Sequence, residues 1–239
     1  MGDRPSETEK VEFVCHPDDD GAIPEPKPAA DVLPEWYRNL PPVTREGKFR
    51  EQTVRLCPAF LDALSLGWIL PLEADVKVNS ENPADGPVEF DDGGAGVVTE
   101  YTLGNGKLPD RAIDTVKFHS RWALKVPDGY SALVVQPMNR RERRFEVVAQ
   151  IVDADRTLQW IDAPAFWYAD GARTVLREGT PLVQVIPFER ESRLENAVVR
   201  PFRRDGKQSY DMTKRRTSVN RSWYRTREWT PKSTRMIDG

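Results

Sequence analysis

The 239-residue sequence predicts a mainly β fold, an antiparallel barrel or jelly roll with one short helix and extended N- and C-terminal arms. Three observations predict it. Between Leu124 and Arg190 short apolar runs recur at fairly even spacing, which argues for many short strands rather than strands alternating with helices. Turn chemistry separates the runs, as in Pro127-Asp128-Gly129, Asp153-Ala154-Asp155 and Gly179-Thr180-Pro181. Composition sets the limits: 38% apolar and 31% charged residues ask for long solvated segments around a smaller folded middle.

In chain order, residues 1–50 are expected to form a Pro-rich wrap. Positions 11 to 16 alternate as a first strand, and Pro17-Asp18-Asp19-Asp20-Gly21 turns it. Pro24, Pro26, Pro28 and Pro34 forbid a regular helix and favour an extended path. A helical turn or two within 31 to 40 places Leu33, Trp36, Tyr37 and Leu40 on one docking side.

Residues 51–199 are expected to form the β-barrel domain. A helix near 58–67 has Pro58 in its first turn, Phe60, Leu61 and Leu64 along one face, and Gly67 at its C-terminal cap. Positions 68 to 78 read as one strand, with Pro71 marking an edge or bulge. Gly93-Gly94-Ala95-Gly96 lacks a GK[ST] ending and a helical continuation, so a hairpin connection is expected there rather than a phosphate loop. Further strands are expected at 116–119, 122–126, 131–136, 145–152, 158–161, 165–168 and 182–188.

Residues 200–239 form a basic, Trp-containing tail. Twelve Lys/Arg against four Asp/Glu give it a local charge of +8, and since the whole chain carries −3 the remainder is near −11. No run of about twenty apolar residues exists and no charged-then-apolar leader opens the chain, so no membrane association is expected. Cys15 and Cys57 have no CxxC spacing and read as unpaired thiols of a reducing compartment, pointing to the cytoplasm.

Over about residues 122–190 the chain resembles the trimeric dUTP pyrophosphatases and the related dCTP deaminases. The counterparts of their ordered motifs are Val126-Pro127-Asp128-Gly129-Tyr130, Pro137-Met138-Asn139-Arg140, Gln150-Ile151-Val152-Asp153-Ala154-Asp155, and Gly179-Thr180-Pro181-Leu182-Val183-Gln184-Val185. The resemblance covers under a third of the chain and implies a dUTPase-like barrel, with Asp153 inheriting the water-activating role. The chain departs from the pattern at Arg156, where the family has a sugar-stacking Tyr, and at Met138, Asn139 and Arg140, where it has the Arg, Ser and Gly of a phosphate loop. The family's glycine-rich C-terminal arm has no counterpart. A second, wider resemblance, through Cys57-Pro58, Pro71-Leu72 and Gly179 to Arg190, is to an uncharacterised family of bacteria and their phages. It implies a bacterial or phage-infected cell and no particular activity.

Candidate site residues follow from these patterns. Asp153 and Asp155, two apart, share a face if they lie on a strand, where they can share a proton or hold Mg²⁺; as a hairpin turn they do neither. His119 is either a general acid or base or a satisfied core or barrel-mouth histidine. Tyr130, Asn139, Arg140, Arg141 and Trp160 line the expected barrel mouth as ligand contacts for a nucleotide or small anion. The run from Asn139 to Arg144 is either an anion-facing loop or a solvated loop beside an acidic neighbouring subunit. Two histidines exclude a His-rich metal centre, and Cys15-His16 with Asp18 to Asp20 reads as a mixed metal site or, more simply, a strand end and turn. No metal or cofactor is expected, and Mg²⁺ only if the chain is a nucleotide enzyme.

In the tail, Arg221, Trp223, Tyr224, Arg225 and Trp229 interleave cations with rings. The mixture suits an acidic partner surface or single-stranded nucleic acid, and the acidic remainder of the chain favours the former. The expectation is a homo-oligomeric, non-hydrolytic ligand-binding or assembly protein. Its alternatives are an enzyme acting on a nucleotide or small metabolite, with Asp153 as base and Arg140 or Arg141 gripping an anion, and single-stranded nucleic-acid binding through the tail.

Overall fold

Apolar side chains on alternate positions build two five-stranded antiparallel sheets whose inner faces share one core. The computed structural model describes residues 10–46, 49–80, 88–101, 112, 114–168, 173–192, 196–201, 210–212, 214 and 223–230. In chain order the elements are β1 (Glu12–Val14), β2 (Lys27–Pro28), α1 (Glu35–Arg38), β3 (Val43–Glu46), β4 (Phe49–Gln52), α2 (Pro58–Ser65), β5 (Trp68–Pro71), β6 (Val76–Asn79) and β7 (Glu89–Asp91). Then come β8 (Val98–Glu100), β9 (Asp114–Lys125), β10 (Tyr130–Val135), β11 (Phe145–Val147), β12 (Gln150–Val152), β13 (Gln159–Trp167), β14 (Arg173–Leu176) and β15 (Pro181–Glu189).

One sheet runs β1-β9-β13-β11, with β8 also on β9; the other runs β12-β10-β15-β5-β2. Smaller sheets are β14-β6-β7 and β3-β4. The sheets are open, and no closed barrel is found among the described residues. Val116, Phe118 and Leu124 of β9 and Ile161, Ala163 and Trp167 of β13 meet Ala132 and Val134 of β10 and Val183 and Val185 of β15. Burial of each large apolar side chain contributes about 1.5–3 kcal/mol, and this shared core is where most of it accrues.

Several expected boundaries move, each for a local reason. The stretches 116–119 and 122–126 are one strand, β9, and 158–161 with 165–168 are one strand, β13, because a register shift between Trp160 and Asp162 absorbs the irregularity. Conversely 145–152 divides into β11 and β12, which belong to different sheets. Positions 68–78 also divide: β5 ends at Pro71, and β6 joins another sheet. The glycines at 93–96 follow β7 and precede β8, strands of different sheets, so the connection is a crossover and not a hairpin. Asp92 holds it by accepting from the amides of Gly94, Val97 and Val98. The strand β14 carries too weak an alternation to be anticipated.

The N-terminal segment does more than wrap, since β1 and β2 each add an edge strand. It is tied down where Arg121 donates to Asp19 at 2.9 Å and the Trp122 indole to the Pro24 carbonyl at 3.0 Å. In α1, Tyr37 is buried and stacks on Phe60 at 5.8 Å, whereas Trp36, expected on the same docking side, stays 41% exposed. The expected helix is α2. Gly67, at φ +70°, follows it, and a Cβ there would stand 2.1 Å from the Val185 carbonyl oxygen, so only glycine fits.

One buried side chain fastens α2 to the sheet and to the loop after β10. Gln184 donates to the Ala63 and Leu66 carbonyls at 3.0 and 2.6 Å and accepts from the Met138 amide at 2.8 Å. Carbonyls left free at a helix C-terminus are thereby satisfied. No helix among the described residues is long and apolar enough to cross a membrane.

Candidate functional site

The expected single mouth does not form, because its residues sit at three places. Tyr130 opens β10, with Asp153 beside it, and Asn139, Arg140 and Arg141 lie beyond the far end. Six residues of strand put roughly 17 Å between those ends. Trp160 stands on β13 in the other sheet, opposite Ala123 and 60% exposed.

At the first end, two carboxylates meet one arginine. The Arg190 guanidinium donates to Asp155 Oδ2 at 2.9 Å and to the Tyr130 carbonyl at 2.7 Å, and its Nε donates to Ser131 Oγ at 3.0 Å. Ser131 in turn donates to Asp153 Oδ1 at 2.6 Å, and Arg190 Nη2 stands 3.6 Å from that oxygen. The β10–β15 register explains the meeting, since Tyr130 opposite Glu189 brings Arg190 against Gly129, whose carbonyl accepts its amide at 2.9 Å. Asp153 and Asp155 do not lie on a strand, as β12 ends at Val152. Asp153 is exposed and Asp155 buried, so the expected shared face is absent. Burial pushes the Asp155 carboxyl upward, but the hydrogen bonds from Arg190 and the Gly129 amide, with the Arg190 charge, hold it below its ordinary value.

The far end has the opposite imbalance. Arg140, Arg141, Glu142, Gln136, Pro137, Thr180, Pro181, Pro34 and Trp36 enclose a cavity of about 290 Å³. Among the described residues, only Arg144 of the Arg140–Arg144 run has a carboxylate partner: its Nε and Nη2 reach Glu142 at 2.8 and 2.7 Å, and Glu142 also accepts the Arg143 and Arg144 amides. The buried Arg140 Nε and Nη2, and the buried Gln136 Nε2, have no hydrogen-bond partner among the described residues. Burial without a counter-charge lowers the Arg140 pKa. Asn139, at φ +57°, makes the tight turn that leads into Arg140, and its amide reaches the Phe60 carbonyl at 3.4 Å.

His119 is neither in the core nor at a mouth. On the outer face of its sheet, Nδ1 donates to Asp162 at 2.8 Å, and Nε2, thereby left as acceptor, takes the Thr99 hydroxyl at 2.8 Å. Lys117 Nζ stands 3.6 Å from the same aspartate. The hydroxyl–imidazole–carboxylate order can polarise Thr99, but it lies on an open, half-exposed sheet face.

The described segment 223–230 of the tail packs onto its own chain. The Trp229 indole donates to Asp62 of α2 at 2.9 Å, the Trp223 indole to Glu228 at 3.0 Å, and Arg227 covers the Trp223 ring at 5.9 Å. Tyr224 and Arg225 are exposed, and Arg221 lies outside the described residues. Trp229 and Arg225 also close a cavity of about 340 Å³ against Tyr37, Arg55 and Leu61. Among the described residues no three His, Cys, Asp or Glu side chains are placed to hold a metal ion. His16 accepts the Asp18 amide at 3.2 Å, and Cys15 and Cys57 are both free.

Compared with known protein families and with curated proteins, the chain matches none. Sequence reasoning reached Asp153, Asp155, Arg140 and His119 but missed Arg190, Ser131, Gln136, Trp36, Thr99 and Asp162. The alternation of β10 and β15 carried a signal for the first two, because it fixes which residues face each other. Nothing local marks Trp36 as a wall of the Arg140 cavity.

Proposed function

We propose that the chain is a non-hydrolytic ligand-binding or assembly protein built on a dUTPase-like jelly roll. The observation that carries this reading is the commitment of Asp155 to Arg190, beside an exposed Asp153 with one oxygen taken by Ser131. A general base needs a pKa near the working pH and a free approach to water, and Asp155 has a lowered pKa and a guanidinium against it. Two five-stranded antiparallel sheets over one core support the jelly roll, and two free thiols fit a reducing compartment such as the cytoplasm. The test is incubation of the full chain with dUTP, dCTP or other nucleotides and Mg²⁺. No product is expected; turnover that falls on Asp153→Asn would overturn the reading in favour of an enzyme.

For the tail, its engagement with α2 favours assembly over nucleic acid, since Trp229 is tied to Asp62 and the Trp223 ring, which would stack on a base, lies under Arg227. The chain is read as a homo-oligomer whose tail braces this contact. Light scattering should give a smaller assembly, or a less stable one, for a chain ending at Val199. Tight, strongly salt-dependent binding of single-stranded DNA by the full chain would overturn the preference.

A further inference from the structure

We infer that the cavity beyond β10 is a carboxylate site, taking a small aromatic monocarboxylic acid whose carboxylate lies on Arg140 and Gln136 and whose ring packs on Trp36. The inference rests on the ligand-binding reading above and gives that ligand a chemical class.

The argument begins from what Arg140 lacks. A guanidinium keeps its charge in proteins, so burial cannot be relieved by losing a proton. Leaving such a charge without an acceptor is among the costliest arrangements in a folded chain. Every other described arginine near this loop that is drawn inward has an acceptor: Arg144 has Glu142 and the Val175 carbonyl. Glu142 is turned to Arg144 and to the Arg143 and Arg144 amides, and it makes no hydrogen bond to the buried Arg140 Nε or Nη2.

The unmatched donors are the Nε and Nη2 of Arg140 and the Nε2 of Gln136. Nε and Nη2 form one edge of the guanidinium, which accepts two oxygens side by side, the bidentate geometry of a carboxylate. Gln136, which also lines the cavity, is held by its other end, where Oε1 accepts the Val147 amide at 2.8 Å, so the direction of its amide nitrogen is fixed. Three buried donors suit the two oxygens of a carboxylate. A phosphate monoester brings three terminal oxygens and up to two charges. Pro34, Pro137 and Pro181 beside the exposed Trp36 ring make up most of the remaining wall, with Arg141, Thr180 and the Glu142 carboxylate, whose charge opposes a second negative charge on the ligand.

Volume and walls define the remainder of the ligand. About 290 Å³ lies at the lower bound of ligand pockets, enough for one ring and its acid group. Trp36 is steadied by near-perpendicular ring contacts to Tyr37 at 5.7 Å and Phe60 at 6.0 Å and stays 41% exposed, so it offers ring surface that is already held in place.

The test uses the full chain with benzoate, acetate and inorganic phosphate at one ionic strength, read by thermal unfolding and titration calorimetry. Benzoate should raise the unfolding temperature and bind more tightly than acetate, and phosphate should give no shift. Arg140→Met should unfold at a higher temperature without ligand and bind benzoate about tenfold more weakly or worse, the loss expected for one charge-assisted hydrogen bond. Trp36→Ala should bring benzoate down to the level of acetate. Should Arg140→Met fail to fold, Gln136→Glu decides the matter. It keeps the acceptor for Val147 and puts a carboxylate oxygen where the amide nitrogen stands, so the unliganded chain should gain stability and lose its benzoate response. A phosphate shift equal to or above that of benzoate overturns the proposal, as does a wild-type chain without a benzoate response. A change in oligomer mass on Arg140→Met, with no benzoate binding, would assign the acceptor to a second copy of the chain and overturn it too. Nucleotide turnover would sink the non-hydrolytic reading alone, and a missing benzoate response would sink this site alone.

Discussion

The two ends of β10 hold arginines in opposite states. At its start Arg190 is matched by Asp155, Ser131, Asp153 and a backbone carbonyl; beyond its end Arg140 is drawn inward with Nε and Nη2 unmatched. Both are half-buried and both border a turn of sheet residues, so charge and position alone do not separate them. What separates them is whether the fold supplies the acceptor. The first end is finished by the chain and serves stability; the second is unfinished, which is the condition of a binding site.

The comparison is broken most directly by removing each arginine in turn. Arg190→Met should cause the largest loss, a fall in unfolding temperature of about 5 °C or more, since it deletes several charge-assisted hydrogen bonds in a chain of this size. Neutral behaviour of that variant would mean that the matched end is ornamental. Acidity sharpens the point. Asp155 is held below its ordinary value, so its contribution is complete above about pH 4, the unfolded carboxyl range, and fades as the pH drops through the lower folded value. The gap between wild type and Arg190→Met, followed by thermal unfolding, should therefore close as the solution is acidified from pH 5 to pH 2.

Arg140→Met should act with the opposite sign and a smaller size. Replacing an unmatched buried charge by an apolar chain of similar length should raise the unfolding temperature by about 2–4 °C. That gain should not change over the same pH range, because the guanidinium does not titrate there. A loss of stability instead would show that Arg140 has an acceptor in the folded chain and would erase the contrast.

How much of this was legible in the sequence differs between the two ends. The run from Asn139 to Arg144 reads either as an anion-facing loop or as a solvated loop beside an acidic subunit, and it lies where β10 stops. Its four arginines look alike in sequence, however, and only the turn at Asn139 and the capture of Arg144 by Glu142 single out Arg140. At the matched end, Asp153 and Asp155 were legible and their role was not, because Arg190 reaches them through strand register. The strands themselves were legible as alternation. Their grouping into sheets was not: 145–152 reads as one apolar stretch, yet the chain changes sheets after Val147, where the Val148 amide turns to the Pro164 carbonyl at 2.8 Å. The barrel mouth failed for the same reason, since neighbours in a motif order became opposite ends of one strand.

The smallest effect is expected at His119, which tests whether burial is the variable that matters. Its partners Asp162 and Thr99 lie on an outer sheet face, and solvent competes for each of them. Exposed pairs of this kind contribute about 0–1 kcal/mol, so His119→Gln should move the unfolding temperature by no more than about 2–4 °C. Glutamine can still donate to Asp162 and accept from Thr99, so the variant removes the ring while leaving a hydrogen-bonding group in place. If His119→Gln cost as much as Arg190→Met, acceptor matching would matter as much in water as under the sheet. The contrast between the two ends of β10 would then have to be explained by geometry other than burial.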